Sequence, residues 1–245
     1  MEQRIFAGPF FDFVLENTPL RGAKLFTSGS SAVLFEKEGA TYRLTSDAIG
    51  HDFLSWASSR DEATVRIIRD HGPVAPLDDH DVIPTPDPEQ YYWLAQVERL
   101  EDIPQPSSCY DELTNFFEHF SDEDLIHAHE VPELIQRIDR FPINSFSPRL
   151  TPLVHTLRSI ANCVADFDGM AILDFRPDNV MRRPETGELV WSDPIWGPSL
   201  ELTEEQSQEM TSVEHRVREK HRLTSAQGCS IHHDHTALGD SQVTP

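Results

Sequence analysis

Basic residues are scarce: Lys and Arg number 20 against 42 Asp and Glu in 245 residues, a net charge of −22. A nucleic-acid binder must neutralise phosphates with a basic patch, and a chain this acidic repels them, so direct DNA or RNA binding is not expected. The same field draws in basic protein surfaces, and it serves solubility equally well. Cysteine is sparse too. Cys109, Cys163 and Cys229 are widely spaced and odd in number, which points to neither a disulfide framework nor a Cys-x-x-Cys metal site and suits a reducing cytoplasm. No apolar run reaches the roughly 18 residues of a membrane-spanning helix. The opening residues MEQRIFAGPFFDFVLEN lack the basic start and long apolar core of a signal peptide. With 38% hydrophobic residues, the chain can form one sizeable domain or two small lobes sharing a cleft. Its composition does not fix an oligomeric state.

The stretch that organises the rest is 170–196, MAILDFRPDNVMRRPETGELVWSDPIW. An apolar run ends at Asp174, Asn179 follows five residues later, and a second apolar run, Leu189-Val190-Trp191, leads to Asp193. Two short strands joined by a turn over 184–188 would gather Asp, Asn and Asp at one end. Phosphoryl transfer requires such a set: one carboxylate orients the attacking hydroxyl, and an amide and a second carboxylate hold magnesium against the nucleotide phosphates. An Asp, an Asn and an Asp can also merely cap turns, but Arg176 and Pro177 between them exceed what a turn needs.

These residues resemble the catalytic and metal-binding loops of the protein kinase superfamily, whose pattern is H-R-D-x-x-x-x-N followed by D-F-G. Ile172-Leu173-Asp174-Phe175-Arg176-Pro177-Asp178-Asn179 keeps the Asp, the step to the Asn, a basic residue two after the Asp, and a Pro before an acidic residue. Ser192-Asp193-Pro194-Ile195 stands where D-F-G would stand. The D-P pair and the short C-terminal part are most similar to the early serine/threonine protein kinases of T-seven-type short-tailed phages. The likeness is specific over 170–196 and loose over the rest of 25–196. It departs from the family at Ile172 and Leu173, which replace the His and Arg of H-R-D, and at Pro194-Ile195, which replace Phe-Gly. Loss of that Arg removes the usual receptor for activation-loop phosphate.

The resemblance implies an α+β, protein-kinase-like bilobal fold. A small β-rich nucleotide-binding lobe would occupy 1–100. A truncated helical lobe with the catalytic and metal loops would occupy 101–222, and 223–245 would form a disordered tail. ATP and Mg2+ are the implied cofactors. Asp174 would be the catalytic carboxylate and Arg176 would steady the γ-phosphate. Asn179 and Asp193 would hold magnesium and bind nucleotide. A protein substrate, or a host protein target in the host cytoplasm, is the implied partner.

The upstream chain reads consistently with this. Residues 1–24 suggest a short helix or strand packed on the first lobe. Residues 25–45 read as three strands. The small polar segment Thr27-Ser28-Gly29-Ser30-Ser31 lies between the first two, and a hairpin turn over 36–39 separates the last two. A loop of small residues lets backbone N–H groups approach phosphate, so Gly29, Ser30 and Ser31 are nucleotide-binding candidates, although a Gly-Ser loop is more often only a turn. Arg43 falls where the kinase strand Lys would stand. Its planar fork also binds phosphate, but it is not interchangeable with an ammonium. The alternative is an ordinary exposed strand Arg. Residues 46–70 read as two helices, the first capped by Ser46 or Asp47, the second by Asp61 with Val65, Ile67 and Ile68 buried. Asp52 and Glu62 are the candidate acidic partners of Arg43. Residues 71–88 read as a linker rich in Pro and Asp. Residues 91–100 read as a strand leading into a hinge, where backbone groups of 97–100, Glu98 among them, would meet adenine.

From Asp111 the period turns helical, with stripes at Leu113, Phe116, Phe117 and Phe120, then at Val131, Leu134, Ile135 and Ile138. The clearest helix spans 149–167, apolar at Leu150, Leu153, Val154, Leu157, Ile160, Ala161 and Val164. Residues 204–222 form a charged helix, acidic first and basic last, an order that complements the helix dipole. It shows no apolar stripe. Cys229, His232, His233 and His235 cluster in the polar tail and read as tail rather than as a transition-metal site. Two other functions stay open: a catalytically weak kinase-like protein that inhibits a host protein by binding, and a small-molecule phosphotransferase of the aminoglycoside kinase type.

Overall fold

The computed structural model describes residues 6–78, 90–142 and 147–229, with 224–229 described by backbone alone. The fold is mixed α+β. Helix α1 (Pro9–Asn17) leads into strands β1 (Lys24–Ser28), β2 (Ala32–Lys37) and β3 (Ala40–Thr45), followed by α2 (Ala48–Ser58), β4 (Ile67–Pro76) and β5 (Tyr91–Val97). These strands form one antiparallel sheet in the order β1-β2-β3-β5-β4. Glu38 and Gly39 both take positive φ, 52° and 79°, the backbone that a two-residue hairpin turn needs to match strand twist. Strand β5 sits between β3 and β4 and is buried at every position but Gln96. That is why it reads as an unbroken apolar run rather than an alternation.

The second part contains α3 (Ser108–Phe120), β6 (Leu125–His127), α4 (Val131–Arg140), α5 (Thr151–Asp166) and β7 (Ile172–Asp174). A 3-10 turn (Pro177–Asn179), β8 (Val180–Arg182), β9 (Leu189–Trp191) and β10 (Ile195–Trp196) follow. Strands β10, β7 and β6 make a small antiparallel sheet, and β8 pairs with β9. The apolar stripes of α3, α4 and α5 meet the inner residues of these sheets and the apolar face of α2 in one core. A second core lies against the large sheet, where Val14 of α1 and Met210, Val213 and Val217 of α6 (Glu204–Cys229) join Phe35, Leu44, Tyr92 and Leu94.

Two expectations are corrected. No helix starts at Asp61. That residue takes φ 54° in a turn, and 67–76 is strand β4, with Ile68 61% exposed. As the edge strand, β4 shifts register against β5 three times, which erases the alternation that identifies a strand. It also tolerates Pro73, whose missing N–H costs little at an edge. The other correction concerns α6, which runs on to Cys229, past the end expected at 222, and does carry an apolar stripe: Met210, Val213 and Val217 are spaced by three and four residues and buried against the large sheet. The expected linker over 71–88 is β4 up to Pro76, and its remainder falls mostly outside the described residues, as do His232, His233 and His235. Among the described residues no helix is long and apolar enough to cross a membrane.

Candidate active site

The small sheet fixes one wall of the site. Period-two burial in β7 sends Leu173 into the core and leaves Asp174 half-buried at the strand end. The Asp174 N–H donates to the Pro194 carbonyl at 2.9 Å, and the Phe175 N–H donates to the Asp124 carbonyl at 2.7 Å. Below the loop, the Phe175 ring packs 4.4 Å from Phe117, which in turn meets Trp191 edge-on at 5.4 Å. Trp191 is fully buried, and its indole N–H donates to the Leu153 carbonyl of α5 at 3.3 Å. This aromatic pile anchors the loop from beneath.

The chain then turns through the 3-10 element, and the Asn179 Nδ2 donates to the Asp174 carbonyl at 3.0 Å. The Ser192 N–H donates to the Asn179 carbonyl at 2.8 Å, which holds Asn179 beside the segment carrying Asp193. Arg176 grips Asp174 with two bonds, Nε to Oδ1 and Nη2 to Oδ2, both 2.6 Å.

Arg43 comes from β3 to the same place. It is buried, and its Nη2 donates to Asp193 Oδ1 at 2.6 Å. Asp193 keeps 28% of its side-chain surface exposed. Burial pushes its carboxyl above the usual range; Arg43 pulls it back, and nearby Asp174 pushes it up again. Neither sequence candidate for an acidic partner of Arg43 serves. Asp52 is exposed on α2. Glu62 instead accepts from the hydroxyls of Thr156 and Ser159 on α5, both at 2.8 Å.

The sequence showed Asp47 only as a helix cap, and it is one: its Oδ1 accepts from the Gly50 N–H at 3.0 Å. It is also 1% exposed and lies in the electrostatic reach of Asp193 and Arg43. The same oxygen accepts from the Gly197 N–H at 2.8 Å, just past β10, while Oδ2 has no hydrogen-bond partner among the described residues. Burial, with Asp193 adding to it, raises its carboxyl to about 7, against Arg43 and the two N–H groups. An acidic residue before a helix is the only signal for Asp47 in the sequence.

Arg43 and Asp193 open onto a cleft of about 670 Å³. Gly29, Ala32 and Leu34 of the first hairpin roof it, Val65 and Val97 back it, 98–102 edge it, and Met181 and Ser192 floor it. Of the candidate nucleotide residues, Gly29, Arg43, Glu98 and Asp193 line the cleft; Ser30, Ser31 and Asn179 do not. The Ser31 carbonyl accepts from the Ser46 N–H and the Thr45 hydroxyl, tying the loop to the end of β3. The Glu98 carboxylate is taken by Arg183 Nε, at 3.1 and 3.0 Å, and by the Arg66 N–H at 2.8 Å. The carboxylate is thus already paired. A larger cavity of about 1030 Å³ lies between α5 and the β8–β9 turn, but none of Asp174, Asn179, Asp193 and Arg43 lines it.

Among the described residues no group of three or more His, Cys, Asp and Glu is arranged for a metal. Magnesium asks for less, one or two hard oxygen donors completed by phosphates and water. Asn179 has its amide oxygen left over after Nδ2 bonds Asp174, and Asp193 has Oδ2 left over after Oδ1 meets Arg43. This donor set fits Mg2+. No protein-family model matches the chain, and a search of curated proteins finds no significant match.

Proposed function

We propose that this chain is an ATP-dependent protein kinase that transfers the γ-phosphoryl group to a Ser or Thr hydroxyl. The observation that carries the reading is the convergence of Asp174, Asn179 and Asp193 with Arg43 beside the cleft, the Asn179 amide bonded to the Asp174 carbonyl. The layout supports a bilobal, protein-kinase-like interpretation. The β1–β5 sheet with α2 inserted between β3 and β4 would be the nucleotide lobe, and α3–α5 with the small sheets a short helical lobe.

In this reading adenine enters between Val65 and Met181 and meets the backbone of 98–102, and the triphosphate runs under the Gly29 loop toward Arg43. Asn179 and Asp193 would hold Mg2+, which neutralises charge on the transferring phosphates when bound. Asp174 receives the acceptor hydroxyl and takes its proton. Arg176 occupies both Asp174 oxygens, and an incoming γ-phosphate offers its guanidinium a competing anion, freeing one oxygen for the hydroxyl. The likeness to phage kinases supports a host protein as acceptor and the host cytoplasm as the location.

The test is transfer of labelled γ-phosphate with Mg2+, to the chain itself or to a protein acceptor. Asp174→Ala is expected to cut the rate by about 10²–10⁴-fold, the usual contribution of a positioned base, and Asp193→Ala by at least as much. Unchanged transfer in Asp174→Ala refutes the assignment.

One observation favours a second reading, a kinase-like protein that acts by binding. The Arg43 guanidinium neutralises Asp193 directly, and the same carboxylate must serve a cation for transfer. Binding of a host protein that survives Asp174→Ala and Asp193→Ala, with no transfer by the wild type, would select this reading.

A further inference from the structure

The small sheet has an inner face in the core and a partly open outer face, on which Leu125, His127 and Trp196 are exposed and Arg176 lies against Asp174. Burial alternates along β7 and the two residues that lead into it: Met170 is 58% exposed, Ala171 is buried, Ile172 is half-buried, Leu173 is buried and Asp174 is half-buried. Neighbouring strands repeat the pattern. Leu125 and His127 are exposed around buried Ile126, and Trp196 is exposed beside buried Ile195. Register places Leu125 opposite Asp174, and both His127 and Trp196 opposite Ile172. The outer face therefore carries Met170, Ile172, Leu125, His127, Trp196 and Asp174 together. Leu125 at 48% and Trp196 at 44% exposure make, with Met170, an apolar patch of the kind that marks an interaction surface.

The two ends of this face differ in charge. Beyond Asp174, next to Leu125, stand Asp122, Glu123 and Asp124, all exposed. Asp178 is exposed nearby, and it and Asp124 act on Arg176 electrostatically. Toward Ile172 the face carries Ile172 and Trp196, with His127 on the far strand. Ile172 and Asp174 are two strand positions apart, about 6.6 Å.

We propose that this face is the docking surface for the acceptor segment, and that the segment is basic on one side of its Ser or Thr and apolar on the other. The inference rests on the kinase reading of Asp174. Two features fix the occupant's chemistry: continuity of the patch with the Asp174 carboxylate, and the acidic rim, which selects Arg or Lys. With the hydroxyl at Asp174, a side chain about two residues away lies over Ile172 and Trp196. Basic side chains on the other flank reach Asp122, Glu123 and Asp124.

The test uses short labelled peptides, Arg-Arg-x-Ser-x-Phe and its reverse Phe-x-Ser-x-Arg-Arg, with controls in which Glu replaces Arg or Ser replaces Phe. Binding to the full chain is followed by fluorescence anisotropy, and phosphate transfer is assayed in parallel. One variant combines Leu125→Ser and Trp196→Ser; a second combines Asp122→Asn, Glu123→Gln and Asp124→Asn. Each is expected to weaken binding of one basic–apolar peptide at least tenfold and to raise its KM similarly, with the KM for ATP unmoved. The controls bind at least tenfold more weakly to the wild type. Wild-type affinity in both variants overturns the proposal. So does failure of both basic–apolar peptides to bind, or a wild-type dimer that the Leu125/Trp196 variant abolishes, since a second copy is then the occupant. Binding that follows the expectation without any transfer by the wild type sinks the kinase reading and leaves the docking surface standing. Transfer that is insensitive to both variants does the reverse.

Discussion

Asp47 and Asp193 are two carboxylates served by one buried guanidinium, that of Arg43. Folding moves the Asp47 carboxyl from an ordinary value of 3.8 to about 7. The folded chain therefore binds more protons than the unfolded chain between those values, and by linkage stability falls as pH rises through that window. Asp47→Asn keeps an oxygen for the Gly50 and Gly197 N–H groups but cannot ionise. Relative to this variant, wild type is expected to lose stability from about pH 4 to about pH 7, with a slope approaching 1.4 kcal/mol per pH unit, and to level off above. Urea denaturation of both proteins at several pH values measures the difference, and a flat difference would contradict the burial assigned to Asp47. Little of this was legible in the chain. Asp174, Asn179 and Asp193 lie within one stretch and announce themselves by spacing. Asp47 gains its character from burial beside Asp193, far along the chain, and a lone Asp before a helix gives no hint of that. Arg43 was visible as a strand residue, but its choice of Asp193 over Asp52 or Glu62 depends on how α2 is placed.

That placement is set by close contact between elements. The Ile49 N–H donates to the Gly197 carbonyl at 3.0 Å, and a Cβ built on Gly50 would lie 2.6 Å from the Ile195 carbonyl oxygen. Two effects oppose each other in Gly50→Ala. Helix propensity favours Ala by about 1 kcal/mol, while forcing a methyl against backbone typically costs about 1–3 kcal/mol. The clash is with the buried Asp47 carboxylate as well as with backbone, and neither yields freely, so net destabilisation is expected, together with slower phosphate transfer as α2 and β10 separate. A Gly50→Ala protein more stable than wild type in denaturant would show that α2 is not seated so closely. Elements with dense, regular patterns were legible: the apolar run of β5, the aromatic stripe of α3 and the long repeat of α5. Strand β4 was not, because three register shifts at a sheet edge leave no period to read. The stripe of α6 was hidden by its charged neighbours, since Met210, Val213 and Val217 are the buried residues among the described side chains of 204–223.

For the molecule as a whole, a charge of −22 repels itself in the folded state more than in an expanded chain. Between about 0.01 M and 1 M salt the screening length contracts from about 30 Å to about 3 Å. The half-buried ion pairs at the site are shielded less than exposed charges. The urea midpoint is therefore expected to rise with NaCl; a midpoint that falls would mean that exposed ion pairs outweigh the net repulsion.

The path of α6 has a mechanical consequence. The chain leaves the large sheet once after β5, through 98–107, and returns to it through 197–203 before α6 packs beside α1, where Lys220 meets Glu16 at 2.7 Å. The large sheet is thus tied to the rest of the molecule covalently through 98–107 and, at its far side, by the packing of α6, while α2 reaches into the other core. A proteolytic nick in 98–107 would therefore leave the two pieces held together by α6 and α2.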